Sequence, residues 1–91
     1  MTGIPKFPLG RLMSTPNALR KIPSDEMLTA LQRHVQGDWG DVDEHDHQAN
    51  EAALLNGSRL FSVYHARNRT KFWIITEADR SVTTVLLPED Y

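Results

Sequence analysis

Acidic and imidazole side chains crowd one stretch of this sequence, His34 to Asn50, which reads HVQGDWGDVDEHDHQAN. Such groups at short spacing could hold a metal ion, move a proton or present a negative surface to a basic partner. Six carboxylates and no Lys or Arg lie between His34 and Ser58. The next thirteen residues reverse the imbalance with four basic side chains and no carboxylate: Arg59, Arg67, Arg69 and Lys71. We therefore expect an acidic side and a basic side.

Metal binding is one interpretation of the acidic stretch. An EF-hand loop requires a glycine at its sixth position and a glutamate at its twelfth, and this stretch has neither. His45 and His47 are two residues apart, whereas ligand pairs on a helix are spaced by three or four. Helix capping and a solvated acidic face explain the same residues, so we predict no metal and no cofactor. A metal-binding protein remains an alternative, with these candidate ligands: Asp41, Asp43, His45, Asp46 and His47.

Trp39 lies between Gly37 and Gly40, a pattern that predicts a backbone with positive φ or a close approach to another segment. The indole either plugs the edge of the core or anchors a binding partner. His34 lies on the apolar face of a predicted helix, where a core residue hydrogen-bonded to Asp38 is expected. A histidine paired with a carboxylate could also act as a general base, but no nucleophile is evident to complete such a site.

The basic segment suggests a second kind of chemistry, because small RNA-cutting toxins use Arg, Lys, His and Tyr side chains on antiparallel sheets. Against a ribonuclease, the whole chain has a net charge of −2, and nucleic-acid binders usually carry a positive excess. Tyr64 and His65 are also adjacent in a predicted strand, so their side chains should face opposite sides. Glu77, Asp79 and Arg80 follow at the next turn, where we expect them to form hydrogen bonds that hold the turn together.

Composition predicts one small globular domain spanning residues 1–91, since 40% of the residues are hydrophobic and 24% are charged. There is no cysteine, which excludes disulfides and thiolate zinc sites and suits a reducing cytoplasm. The first residues, MTGIPKFPLGRLM, do not resemble a signal peptide, and no segment is apolar for long enough to span a membrane. We therefore expect a cytoplasmic protein without a membrane partner.

Helix signals dominate residues 14–57, after an extended arm or first strand in residues 1–13. The first predicted helix is capped by Thr15 and ended by Pro23. The second is capped by Ser24 and ended by Gly37. The third runs from Glu44 to Asn56, with Asp43 as its cap and Gly57 as its stop.

Residues 58–88 contain three segments rich in β-branched and aromatic residues, RLFSVYHA, KFWIIT and SVTTVLL. Short links between them predict an antiparallel meander of three or four strands, with the helices packed on one face in an α+β fold. Both faces of this sheet are apolar in the sequence. The second face is expected to be sealed by the N-terminal arm, by a second copy of the chain or by a partner.

Two strings in this sequence, GDWG and WIITEADRSVTTVLLP, resemble a family of short bacterial proteins. Members are often labelled plasmid-related, or type I restriction endonuclease subunit M, and the resemblance covers Gly10 to Tyr91. A methyltransferase subunit needs a much longer cofactor-binding domain and a motif of the NPPF type, which this sequence lacks. The resemblance therefore implies a gene carried by mobile elements near defence loci, and it transfers no catalytic residues.

Together these observations favour a non-catalytic protein-interaction domain that modulates host defence, restriction or toxin systems. Its partner would be another protein or a second copy of itself, and nucleic acid is not favoured. A toxin-like ribonuclease and a metal-binding protein are the alternatives. The predicted contact residues fall on the acidic stretch and on the basic hairpin with its neighbouring turn: Asp38, Trp39, Asp41, Asp43, Asp46, Arg67, Arg69, Lys71, Glu77, Asp79 and Arg80.

Overall fold

The computed structural model describes residues 4–91 and confirms the predicted α+β class. Four strands and three helices follow one another, and a short 3-10 turn at Pro88–Asp90 comes after the last strand. Their order and bounds are β1 (Arg11–Ser14), α1 (Pro16–Lys21), α2 (Ser24–Val35), α3 (Glu44–Asn56), β2 (Leu60–His65), β3 (Lys71–Thr76) and β4 (Val82–Leu86).

Two of the three predicted helix caps are confirmed. The Thr15 hydroxyl accepts a hydrogen bond from the Ala18 N–H at 3.2 Å, and the Asp43 carboxylate accepts one from the Asp46 N–H at 2.8 Å. The third cap was wrong, because Ser24 is already the first residue of α2 and Pro23 occupies the cap position. The helical ladder begins there with the Met27 N–H donating to the Pro23 carbonyl at 3.0 Å, and no side chain caps this end of α2.

The sheet has the order β1-β4-β3-β2. The pairs β2–β3 and β3–β4 are antiparallel, as the predicted meander requires. The prediction of a wholly antiparallel sheet was wrong, because β1 pairs parallel to β4. All three helices and two strands separate β1 from β4 in sequence, and a connection of that length allows a strand to return in the same direction.

The main hydrophobic core lies between the sheet and the first two helices. Side chains on a strand alternate between the two faces of a sheet, so one face carries Tyr64 of β2, Phe72 and Ile74 of β3, and Val85 of β4. Against them pack apolar side chains of α1 and α2 and of the link between these helices: Ala18, Ile22, Ala30 and Leu31. Full burial of each large side chain contributes roughly 1.5–3 kcal/mol, which makes this layer the main source of stability.

A second core cluster joins the N-terminal arm to the loop after α2. Phe7 stacks on Trp39 with ring centroids 6.3 Å apart, and both pack with Ala53 of α3 and Leu60 of β2. The Lys6 N–H donates to the Val35 carbonyl at 2.8 Å. The described part of the arm thus lies against α2 and Trp39.

The opposite face of the sheet carries Phe61 and Trp73, whose rings meet at 5.1 Å. Tyr91 covers part of this face, with its ring 5.8 Å from that of Trp73. A cavity of about 360 Å³ remains between these aromatic rings and the first half of α3. The expectation that the arm seals this face was therefore wrong for residues 4–9, because Phe7 is held instead by Trp39 and His34.

Gly40 and Gly57 both have positive φ, 72° and 74°, but only Gly40 approaches another strand. A Cβ at Gly40 would overlap the Val63 carbonyl oxygen, whereas one at Gly57 would meet nothing within 4 Å. Gly57→Ala should lose about 1–2 kcal/mol from the left-handed backbone alone. Gly40→Ala should lose about 1–3 kcal/mol more, because the loop must also move off β2. Urea unfolding of both variants measures this difference, and equal losses would contradict the close approach.

Candidate functional site

The centre of the molecule contains a chain of hydrogen bonds between polar side chains that are fully buried. His34 of α2 lies 2.6 Å from the Ser62 hydroxyl through Nδ1 and 2.9 Å from the Thr76 hydroxyl through Nε2. The Thr76 and Thr83 hydroxyls are 2.7 Å apart, and the Thr83 hydroxyl donates to the Leu9 carbonyl at 2.7 Å. The network therefore links α2 to three adjacent strands and to the N-terminal arm.

The last acceptor sets the direction of the bonds from Leu9 back to His34 Nε2. A backbone carbonyl can only accept, so the Thr83 hydroxyl donates its proton to the Leu9 carbonyl and must accept from the Thr76 hydroxyl. Thr76 then accepts from His34 Nε2–H, and Nδ1 accepts from the Ser62 hydroxyl. The network requires a proton on Nε2, and the lowered pKa of His34 keeps Nδ1 unprotonated at neutral pH, so the imidazole is neutral. Burial, with a smaller contribution from the charge of Arg80, lowers the pKa of His34 from its usual 6.5 to about 3.

Ser62 and His34 have the geometry of a nucleophile and its base, which sequence reasoning did not find because the two residues are 28 positions apart. Both side chains have 0% exposure. A substrate cannot reach Ser62 without opening the core, so we interpret the pair as structural. The expected hydrogen bond from His34 to Asp38 was wrong, because Asp38 lies outside the core and pairs with Arg33 at 2.7 Å.

Trp39 is a core residue with 2% exposure. Its indole N–H donates to Glu51 of α3 at 2.8 Å. Its ring makes a T-shaped contact with the His34 ring, with the ring centroids 5.7 Å apart. The segment around it adds to the edge of the sheet, since the Val63 N–H donates to the Trp39 carbonyl at 3.0 Å. Of the two interpretations of Trp39, the structure supports the core plug and removes this residue from any exposed contact surface.

The remaining acidic residues are divided among separate tasks. Asp43 caps α3, and Asp46 lines the cavity beside Trp73. Asp41 lies 2.8 Å from Nδ1 of His65, both side chains being exposed. Among residues 4–91, no group of three or more His, Asp or Glu side chains is close enough to hold a metal ion.

One basic side chain of the predicted hairpin, Arg67, is paired with carboxylates. The Arg67 guanidinium lies 3.1 Å from Glu26 and 3.4 Å from Asp25, both in the first turn of α2. Arg69 is exposed and takes a positive φ of 71° in the turn, while Lys71 is exposed at the start of β3. The structure thus places Arg67 against carboxylates and leaves Arg69 and Lys71 at the surface.

The turn after β3 is held by its own hydrogen bonds. Arg80 donates to the carbonyls of Ser58 at 2.6 Å and Ala53 at 3.0 Å, and so caps the carboxyl end of α3. Asp79 accepts from the Ser81 hydroxyl at 2.6 Å, and Glu77 lies 3.4 Å from Arg59. These contacts explain the residues of this turn as structural ties.

One surface was missed by sequence reasoning, an apolar groove of about 450 Å³ between β1 and α2. Four large apolar side chains that are about half exposed or more surround it: Leu12 at 53%, Met13 at 48%, Leu19 at 63% and Leu28 at 60%. We name these four residues the β1 patch. The available signal was RLMS, a strand with two adjacent apolar residues, together with leucines on the side of α1 and α2 away from the predicted core.

No protein-family model, no curated protein and no solved structure matches this chain significantly. The resemblance based on GDWG and WIITEADR therefore stays a prediction. None of the helices described between residues 4 and 91 is both long and apolar enough to cross a bilayer.

The depressed pKa of His34 makes stability depend on pH. Below pH 6.5 the unfolded chain binds a proton at this residue, while the folded chain does not until about pH 3. The free energy of unfolding should therefore be highest above pH 6.5 and should fall by up to about 1.4 kcal/mol per pH unit between those values.

Urea unfolding from pH 7.5 to 3.5 measures this slope. Comparison between variants removes the contribution of the carboxylates to the slope. His34→Gln should be less stable at pH 7 and should lose its share of the slope, whereas His45→Gln, at an exposed position, should retain it. Parallel pH curves for wild type and His34→Gln would contradict a neutral buried imidazole.

Proposed function

We propose that this chain is a non-catalytic protein-interaction domain that binds an extended polypeptide segment along β1. The observation that carries the proposal is a free strand edge bordered by the β1 patch. A peptide that adds a strand to such an edge gains backbone hydrogen bonds and places alternate side chains in the adjoining groove. The β1 patch accordingly replaces the acidic stretch as our proposed contact surface.

The backbone of β1 leaves one edge free. The Arg11 N–H donates to the Ser81 carbonyl at 2.9 Å and the Thr15 N–H to the Val85 carbonyl at 3.0 Å, so the odd-numbered residues face β4. By alternation, the N–H and C=O groups of Leu12 and Ser14 point away from the sheet. No residue among 4–91 pairs with this outer edge. Natural edges are commonly protected by charged side chains, proline or a bulge, and β1 has one charged residue, Arg11, with no proline, lysine or bulge.

The groove beside this edge supports binding of apolar side chains. Val85 and Ser14 are among its lining residues, together with Met27, Leu28 and Leu31 of α2. Exposed apolar groups concentrated in one place mark interaction surfaces, in contrast to the isolated exposed Leu55 on α3. The location of the groove next to free backbone groups favours a strand as the bound element.

A catalytic function has less support. The Ser62–His34 pair is enclosed, and the Asp41–His65 pair lies on an exposed surface. The ribonuclease alternative requires a free basic hairpin, and the pairing of Arg67 with Glu26 counts against it.

We propose a cytoplasmic setting and a role in modulating host defence, restriction or toxin systems of a mobile element. The composition supports the first of these and the sequence resemblance the second.

The test compares two leucine variants in affinity capture from the native host. Leu28→Glu places a charge in the groove, while Leu55→Glu places the same charge on α3, where the leucine is 91% exposed. A specific partner should bind wild type and Leu55→Glu equally and should bind Leu28→Glu at least about tenfold more weakly. In the purified complex, hydrogen exchange should slow at the amides of Leu12 and Ser14. A partner bound equally by both variants, with no such protection, would contradict this surface.

A further inference from the structure

We propose that the segment bound along β1 is β1 of a second copy of the same chain. This inference rests on the proposed function, since it names the occupant of the same free edge. The two strands would run antiparallel around a twofold axis at Met13 and join the two sheets into one. A twofold axis uses the same patch on both subunits, so the patch must complement itself.

The free backbone groups restrict the register of the pair. Leu12 and Ser14 face outward, and outward groups of one strand must meet outward groups of the other. A twofold axis at Met13 brings Leu12 opposite Ser14 of the second copy, and Ser14 opposite its Leu12. Each of these pairs exchanges two backbone hydrogen bonds. The Met13 side chains then meet each other at a non-hydrogen-bonded position.

Charges favour this register. It places Arg11 directly opposite Thr15 of the second copy, and the Thr15 hydroxyl donates to the Asp90 carboxylate at 2.6 Å. Opposed residues in an antiparallel pair have Cβ atoms about 4.5–5.5 Å apart, so the Arg11 guanidinium reaches that carboxylate. The twofold axis makes this ion pair twice, and it opposes no like charges within β1.

A shift of the register by two residues would lose these ion pairs. With the axis moved to Leu12, Arg11 would lie opposite Met13 of the second copy. Gly10, which has a left-handed φ of 66°, would have to continue the extended pairing. The conformation of Gly10 therefore limits the strand at one end, and the ion pairs select the register.

The apolar side chains also fit a second copy. Leu12 pairs with Thr83 in the register of β1 with β4, so its side chain lies on the face of the sheet that packs on the helices. In the dimer, Leu12 of the second copy lies beside Ser14 on that face and enters the groove next to Leu28. Helices α1 and α2 of both copies then lie on the same side of one eight-stranded sheet. An unrelated strand could satisfy the backbone groups, but it would need its own arginine and carboxylate at the matching positions to form both ion pairs.

Cysteine cross-linking tests the register directly, because the natural chain contains no cysteine. Residues that face each other at a non-hydrogen-bonded position have Cα atoms about 4.5 Å apart, within the range of a disulfide. Met13→Cys should therefore form a covalent dimer under mild oxidation, and Leu55→Cys should not. Light scattering should give wild type twice the chain mass of 10.4 kDa.

Two further variants are measured by sedimentation equilibrium, in case Met13→Cys disturbs β1. Leu28→Glu should weaken the dimer at least about tenfold. Arg11→Glu should weaken it several-fold, while Lys71→Glu, with the same change of charge on β3, should not. Circular dichroism confirms that each variant is folded.

The outcomes separate this inference from the proposed function. A dimer that is weakened by Leu28→Glu and cross-linked at Met13 supports both. A wild-type monomer at high concentration overturns the inference, and the function stands if capture of another protein still depends on Leu28. A dimer that neither cross-links at Met13 nor responds to Leu28→Glu overturns the inference as well, because its interface lies elsewhere.

Discussion

The hydrogen-bond network around His34 is the constraint on which the rest of this structure depends. It crosses the sheet from Ser62 on β2 through Thr76 on β3 to Thr83 on β4, and it ends on the arm at the Leu9 carbonyl. A buried polar group without a partner costs about 1–3 kcal/mol, so displacing any one element would leave several such groups unpaired. The network therefore specifies the registry between helix, strands and arm more strictly than apolar contacts, which tolerate sliding.

Two further sets of contacts connect the network to the N-terminal arm and to α3. The rings of Phe7 and Trp39 close over His34 and keep water from the imidazole. Arg80 lies over the Phe7 ring at 5.7 Å and caps α3 through the Ala53 carbonyl. Residues 36–43 of the acidic stretch thereby form a short connection between α2 and α3, with Trp39 inward and Asp38 and Asp41 outward. Its unusual composition reflects these local requirements.

In this arrangement the Ser62–His34 pair is closed to a substrate, and the proposed contact surface lies at the periphery. The only histidine within reach of a hydroxyl nucleophile in the described chain is enclosed by aromatic rings. Strand β1 is the neighbour of β4 at the edge of the sheet. It contributes no side chain to the network, and its outer edge is free. A domain of this size buries a modest core, so pairing of two such edges would also add to its stability.

The sequence by itself determined the elements of this protein, because caps, stops and strand periodicity are local. Thr15, Asp43 and Gly57 predicted helix ends, and residues 58–88 predicted the antiparallel meander. Tertiary structure decided what depends on contacts between distant segments. It made β1 parallel to β4, gave His34 hydroxyl partners in place of Asp38, and buried Trp39 beside Glu51. The sequence held a signal for the β1 patch but could not decide its exposure, since a leucine is exposed or buried according to what the completed fold places against it.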